Sequence, residues 1–236
     1  MESTNTNVNP NSTSSSQSLQ MRIFTWSIRN KRYIFWTIRL GYAFILTIYL
    51  LAAYAAFTRS DSYFSIYYDW GLTFGRSAIV FLGVAVLPGI LGRFGINWQV
   101  TRIITFFRRQ VGITVFLLAF SHYSVIRNLP VLSGQVPFVF PYSLFEMFGF
   151  TAFCILFLMY ITSNNWSMAK LGPWWKRLHR FVYVVLWLLV LHTALQRISL
   201  WSGLIIIFAA IETASLIYLW VKNKNKVPPQ AATPQV

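Results

Sequence analysis

Cysteine is nearly absent from this chain of 236 residues: there is one, Cys154. That excludes an intrachain disulfide framework, a Cys₄ iron–sulfur cluster and a CxxCH covalent haem attachment. Acid is scarce as well, with five Asp and Glu against 20 Lys and Arg, and charged residues make up only 11% of the chain. Soluble domains carry roughly 25%, so a soluble globule of this composition could not cover itself with polar surface. A cytosolic enzyme is disfavoured, and so is a disordered regulator. No GxGxxG dinucleotide signature occurs either. Apolar and aromatic residues are abundant instead: 56% hydrophobic, 18% aromatic, ten Trp and a mean hydropathy of +0.53.

The apolar residues fall into six runs, near 33–57, 74–92, 109–127, 141–162, 176–196 and 201–221. A helix needs about 20 residues to cross the ~30 Å hydrocarbon core. Lipid offers backbone groups no hydrogen-bond partner, so each run must be a helix or a barrel strand. Barrel strands are short and alternate in polarity, whereas these runs are long and continuous. The expected fold is an all-α bundle of six transmembrane helices over 33–222. It is preceded by a Ser/Asn-rich tail and basic juxtamembrane segment (1–32) and followed by a C-terminal tail (223–236); residues 1–20 have nothing to bury and read as disordered.

Charge placement sets the expected topology. Arg59, Arg76, Arg127 and Arg197 fall on one side of the membrane, and the other sixteen Lys and Arg on the opposite side. By the positive-inside rule both termini are cytoplasmic. The excess of +15 is thereby explained by topology rather than by nucleic-acid binding. Ala53-Tyr54-Ala55 resembles a signal-peptide cleavage site, but the ~40 residues before the apolar run are far too many for a secretory signal, so the first run reads as a membrane helix.

All three histidines lie within or at the edge of apolar runs. Ionisable groups at membrane depth are costly and mark functional sites by default. His122 and His192 fall near the outer ends of the third and fifth helices. Two imidazoles facing each other across a bundle suit the axial positions of a haem iron, and Arg76 is placed to pair with haem propionates. His179 lies 13 residues before His192, about 19.5 Å along a helix, so the three cannot share one ion. On a straight helix those residues also differ by about 220° of rotation; a bulge or kink must absorb it. Near His179 the matching level of the third helix carries Arg108 and Arg109. These are topogenic charges, or they hold the phosphate of a flavin nucleotide (FMN) or serve a second haem with an unusual ligand; Gly112 leaves room there.

At these residues the sequence resembles the bacterial MsrQ (YedZ) family of the ferric-reductase-like transmembrane superfamily. The resemblance is carried by Phe74-Gly75-Arg76-Ser77, Arg108-Arg109, Phe120-Ser121-His122, Arg127 and Pro141-Tyr142. Its strongest stretch runs from Lys170-Leu171-Gly172 through Leu178-His179-Arg180-Phe181-Val182-Tyr183, with His192 following. It implies a haem b protein of the bacterial inner membrane that passes electrons from a quinol or a cytosolic flavin reductase to a periplasmic molybdopterin methionine sulfoxide reductase. It also implies that His122 and His192 are the outer haem ligands, that His179 serves an inner centre, and that spacing like that of His179 and His192 is usual in the superfamily. Larger members carry a fused flavin/nicotinamide domain, which this chain lacks, so it is expected to act as an electron-transfer component and not to take hydride from NADPH by itself. Two alternatives stand beside this reading: a stand-alone ferric, metal or oxygen reductase core, and a cofactor-free transporter or assembly protein.

Other residues carry lesser expectations. Pro88-Gly89 should bend the second helix, and Pro173 suits a first helical turn. Glu146 and Glu212, the acids within spans, read as structural, with proton relay or quinone binding as the alternative. Cys154 reads as a packing residue, and Trp98, Trp174, Trp175 and Trp201 as interfacial anchors.

Overall fold

The structure is a computed structural model that describes residues 10–58, 61–96, 98–138 and 143–225. Its elements are α-helices: α1 Pro10–Arg29, α2 Lys31–Thr58, α3 Asp61–Arg93, α4 Gln99–Tyr123, α5 Leu129–Leu132, α6 Leu144–Ile161, α7 Asn165–Leu171, α8 Pro173–His179, α9 Val182–Gln196 and α10 Leu200–Lys224. A π-helical segment, Ser124–Asn128, joins α4 to α5. Six stretches are long and apolar enough to cross a membrane, with their limits at 31–58, 65–93, 99–132, 144–161, 173–196 and 200–224. The chain is therefore an all-α, six-helix membrane protein, as its apolar runs require.

Several expected boundaries shift. The second span does not open at Phe74: α3 starts at Asp61, so Arg76 lies inside a continuous helix. Ile66, Tyr67 and Tyr68 carry the apolar pattern back into this first part of the helix. α3 also continues through Pro88. The polar N-terminal stretch, expected to be irregular to residue 20, enters a helix at Pro10; its first nine residues lie outside those described, as do Pro141-Tyr142 and 226–236. The third span begins ten residues early, at Gln99, and the fifth is broken. Between α8 and α9 the amides of Arg180, Phe181 and Tyr183 each bond the carbonyl three residues back. Such three-per-turn winding adds about 20° per residue over an α-helix. It thus supplies part of the rotation missing between His179 and His192.

α3 lies along α4, α6 along α9, and α10 closes against both α9 and α3. The core formed there includes Leu82, Val86, Val115, Phe116, Ala152, Leu186, Ile205 and Ala209. Helix association in lipid gains little from hydrophobicity and depends on close packing. Gly83 shows the point: a β-carbon there would come within 2.3 Å of the Phe208 ring, so only glycine lets α10 approach α3 this closely. Ala152, which is fully buried, plays the packing part on α6 expected of Cys154, whereas Cys154 itself is exposed.

A buried ion pair ties the same helices together. Arg93, the last residue of α3, pairs with Glu212 at the centre of α10. Its Nε donates to Ser215 Oγ at 2.8 Å, and its guanidinium lies 5.8 Å from the Tyr183 ring centroid on α9. Removing one partner of such a pair strands the other charge, at a cost of about 3–5 kcal/mol, whereas replacing both with apolar residues is often neutral. Glu212→Ala should therefore destabilise the detergent-solubilised protein by about 3–5 kcal/mol in denaturant unfolding, and Arg93→Met/Glu212→Leu should recover most of that loss. A loss under about 1 kcal/mol for the single variant would show that the pair does not clamp the bundle.

Candidate metal centre

His122 and His192 are held in the same way on separate helix pairs. His122, on α4, places Nδ1 2.9 Å from the Gly71 carbonyl of α3. His192, on α9, places Nδ1 2.8 Å from the Phe145 carbonyl of α6. A carbonyl oxygen can only accept, so in each ring Nδ1 is the protonated nitrogen and donates. In the neutral imidazole this leaves Nε2 with a free lone pair, the arrangement that orients a histidine for a metal. Among the described residues neither Nε2 has a hydrogen-bond partner.

Each ring also lies on a glycine one turn further along the helix that anchors it. A β-carbon at Gly75 would come 2.7 Å from His122 Nδ1, and one at Gly149 would come 2.5 Å from His192 Nδ1. Both separations are too short for real atoms, so the two rings occupy space that only glycine leaves. The repeat is the same on both sides: the carbonyl four residues before the glycine accepts the hydrogen bond. On the α3 side the π-helical segment adds to the fit. It packs Val125, fully buried, onto Gly71 immediately after the histidine; π-bulges are frequent at functional sites.

His122 and His192 are within electrostatic range of each other. Phe145 lies against the His192 ring with centroids 5.8 Å apart, and further aromatic side chains stack between α4 and α6: Tyr123 on Phe153 at 5.2 Å, and Phe116 on Phe153 at 5.8 Å and on Tyr160 at 4.2 Å. At the mouth, Glu146 accepts from the Ser143 amide at 2.9 Å and from its hydroxyl at 2.6 Å, and lies 3.7 Å from Arg127. Glu146 is thus a helix cap and ion-pair partner, which matches its structural reading.

The remaining expected site residues do not all converge. Arg76 follows Gly75 directly, is exposed, and has no partner among the described residues. His179 sits apart from the other two histidines, beneath Trp175, whose ring stacks on it at 4.1 Å. Its Nε2 lies 3.4 Å from Thr162 Oγ1, and Arg108 is within electrostatic range. Arg109 points elsewhere and donates to Asn165 Oδ1 at 2.8 Å. The Trp175 indole N–H donates to the Thr162 carbonyl at 3.0 Å, and Trp98 and Trp174 are exposed. Around Gly112 the space is open.

The donor set fits a haem better than a bare ion. Among the described residues no three His, Cys, Asp or Glu side chains converge as a metal site. Two imidazoles with free Nε2 would complete an iron whose other four ligands come with a macrocycle. The apolar aromatic wall suits the porphyrin, and the exposed Arg76 suits a carboxylate at its edge. Sequence reasoning found the histidines but missed Gly71, Phe145 and Gly149, and met Gly75 only as part of the family resemblance. The only signal was the Gly-x-x-x-Gly spacing of 71 and 75, which reads as ordinary helix packing.

The chain matches the ferric reductase like transmembrane component family over residues 74–190, a range that holds His122 and His179 and ends two residues before His192. It is 30% identical over 133 residues to the protein-methionine-sulfoxide reductase heme-binding subunit MsrQ of Agrobacterium fabrum, covering 56% of each chain. To the protein of the same name from Brucella ovis it is 29% identical over 121 residues, 48% of this chain and 51% of that one. The chain thus spans about half the length of the curated relatives it matches. No solved structure matches it.

Proposed function

We propose, from the premise that this chain is an MsrQ-like, ferric-reductase-like membrane protein, that His122 and His192 are the axial ligands of one b-type haem and that the protein carries electrons across the membrane. The observation that carries the reading is the matched pair of Nδ1–carbonyl hydrogen bonds, which presents two lone pairs from separate helix pairs. The name of the relatives, a heme-binding subunit, agrees with it.

Bound haem supplies a one-electron Fe(III)/Fe(II) couple. The residues of the chain hold and insulate it. The Gly71 and Phe145 carbonyls keep each imidazole in one tautomer and raise its basicity. Gly75 and Gly149 let the rings lie flat on α3 and α6. The stacked Phe116, Tyr123 and Phe153 of α4 and α6 would offer apolar surface to the group, and the exposed Arg76 would take a propionate. At the opposite end His179 and Arg108 form an inner cationic site suited to a second redox group, whether haem or the phosphate of FMN.

Direction follows from charge. The end with His179 carries most of the Lys and Arg and belongs to the cytoplasm, with both termini, in a bacterial inner membrane. Electrons then enter near His179, from a quinol or a cytosolic flavin reductase. They leave near His122 and His192 toward a periplasmic methionine sulfoxide reductase subunit bearing molybdopterin. That acceptor rests on the relatives' names and on the family resemblance.

Reduced-minus-oxidised difference spectra of the purified protein test the site. His122→Ala and His192→Ala should each abolish the same haem band, and His179→Ala should retain it. Full haem content in both outer variants would refute the assignment. Gly149→Ala pushes a methyl group into the His192 ring and should weaken haem retention by about 10–100-fold, the range of second-shell losses. Ala at Gly112, where nothing lies nearby, should leave the haem content unchanged.

A further inference from the structure

We infer that the basic end of the bundle binds one anionic phospholipid, with an acyl chain in the hollow between α1, α3 and α4 and its phosphate on Arg102. This site is independent of the haem and lies at the other end of α4. The hollow measures about 480 Å³, within the ~300–1,000 Å³ range of small-molecule sites. Phe24 of α1, Pro88 and Gly92 of α3, and Phe106 of α4 give it apolar walls. Two threonine hydroxyls at its edge are already engaged: Thr101 donates to the Trp98 carbonyl at 2.6 Å and Thr105 to the Thr101 carbonyl at 2.7 Å. Arg102 is the one charged lining residue. It is exposed and has no ion-pair partner among the described residues.

The hollow carries its charged residue, Arg102, beside apolar walls. Arg102 to Phe106 on α4 and Gly92 to Pro88 on α3 each advance one turn, about 6 Å along the helix axes. The walls therefore run from the helix ends into the bilayer. Helix α1 supports a membrane surface beside them. α1 packs on α4, and Leu19, Ile23 and Trp26 are exposed at helical spacing, with Met21 and Ile28 exposed elsewhere on the helix. Arg22 and Arg29 are exposed one helical step away. An exposed apolar stripe edged by cations is the pattern of a helix lying in a lipid interface. Basic pockets of this kind at membrane level recognise anionic head groups.

Native mass spectrometry of the full chain, reconstituted with dioleoylphosphatidylglycerol or dioleoylphosphatidylcholine and re-extracted, tests the inference. The wild type should retain one phosphatidylglycerol and no phosphatidylcholine. Arg102→Gln should lower that retention about fivefold, in keeping with the loss of one cation near a lipid surface. Gly92→Leu should lower it as much by filling the hollow, because nothing lies within 4 Å of the position. Arg39→Gln removes an exposed cation that lies over Trp36 on α2 and should change nothing. Equal retention of the two lipids overturns the site. So does wild-type retention by Gly92→Leu, which would reduce the binding to surface charge. Displacement of the lipid, one for one, by decyl-benzoquinone would assign the hollow to a quinone and overturn it as well. Helical circular dichroism and monodisperse elution confirm that each variant is folded, and haem content should stay at the wild-type level in all three.

Discussion

Two hydrogen bonds from imidazole to backbone organise the candidate centre. In lipid, a buried histidine must satisfy Nδ1 internally, and a carbonyl four residues before a glycine does so on α3 and again on α6. Because a carbonyl cannot donate, the same contact dictates which nitrogen stays bare. Tautomer, ring orientation and availability for a metal are settled together, at the cost of one backbone acceptor per ring.

The rest of the fold can be read as support for those two contacts. The rings need glycine beneath them, and Gly75 and Gly149 leave that space. The π-helical segment after Tyr123 seats Val125 against α3. The three-per-turn winding at Arg180–Phe181 turns α9 relative to α8. The Arg93–Glu212 pair and the Gly83–Phe208 contact fix α10 to α3, so the helix that anchors His122 is held to α10 at two points. None of this requires a charged or catalytic side chain at the centre itself, which suits the proposed role of holding and insulating a redox group.

Much of this was legible in the sequence. Six continuous apolar runs could only be spans, because the backbone has no other way to satisfy itself in hydrocarbon. His122 and His192 stood out because histidine at membrane depth is costly. What was not legible followed from tertiary contacts. Residues 61–73 fall outside the six apolar runs because acids and polar residues interrupt the pattern there, yet they continue a helix that packs on the π segment. Gly75 and Gly149 look like any glycines until a ring from another helix is laid on them. The position of Trp175 in the sequence gives no sign of its contacts with Thr162 and His179. Arg109 and Arg108 are adjacent in sequence and diverge in space, one to Asn165 and one toward His179.

The central claim is that both imidazoles bind one iron at once. Low-temperature electron paramagnetic resonance of the oxidised, purified protein, with near-infrared magnetic circular dichroism on the same sample, reports axial ligation directly. Ligation by His122 and His192 predicts a low-spin ferric signal with the charge-transfer band of bis-imidazole coordination. A high-spin five-coordinate signal, or a low-spin band typical of any other ligand pair, would contradict it.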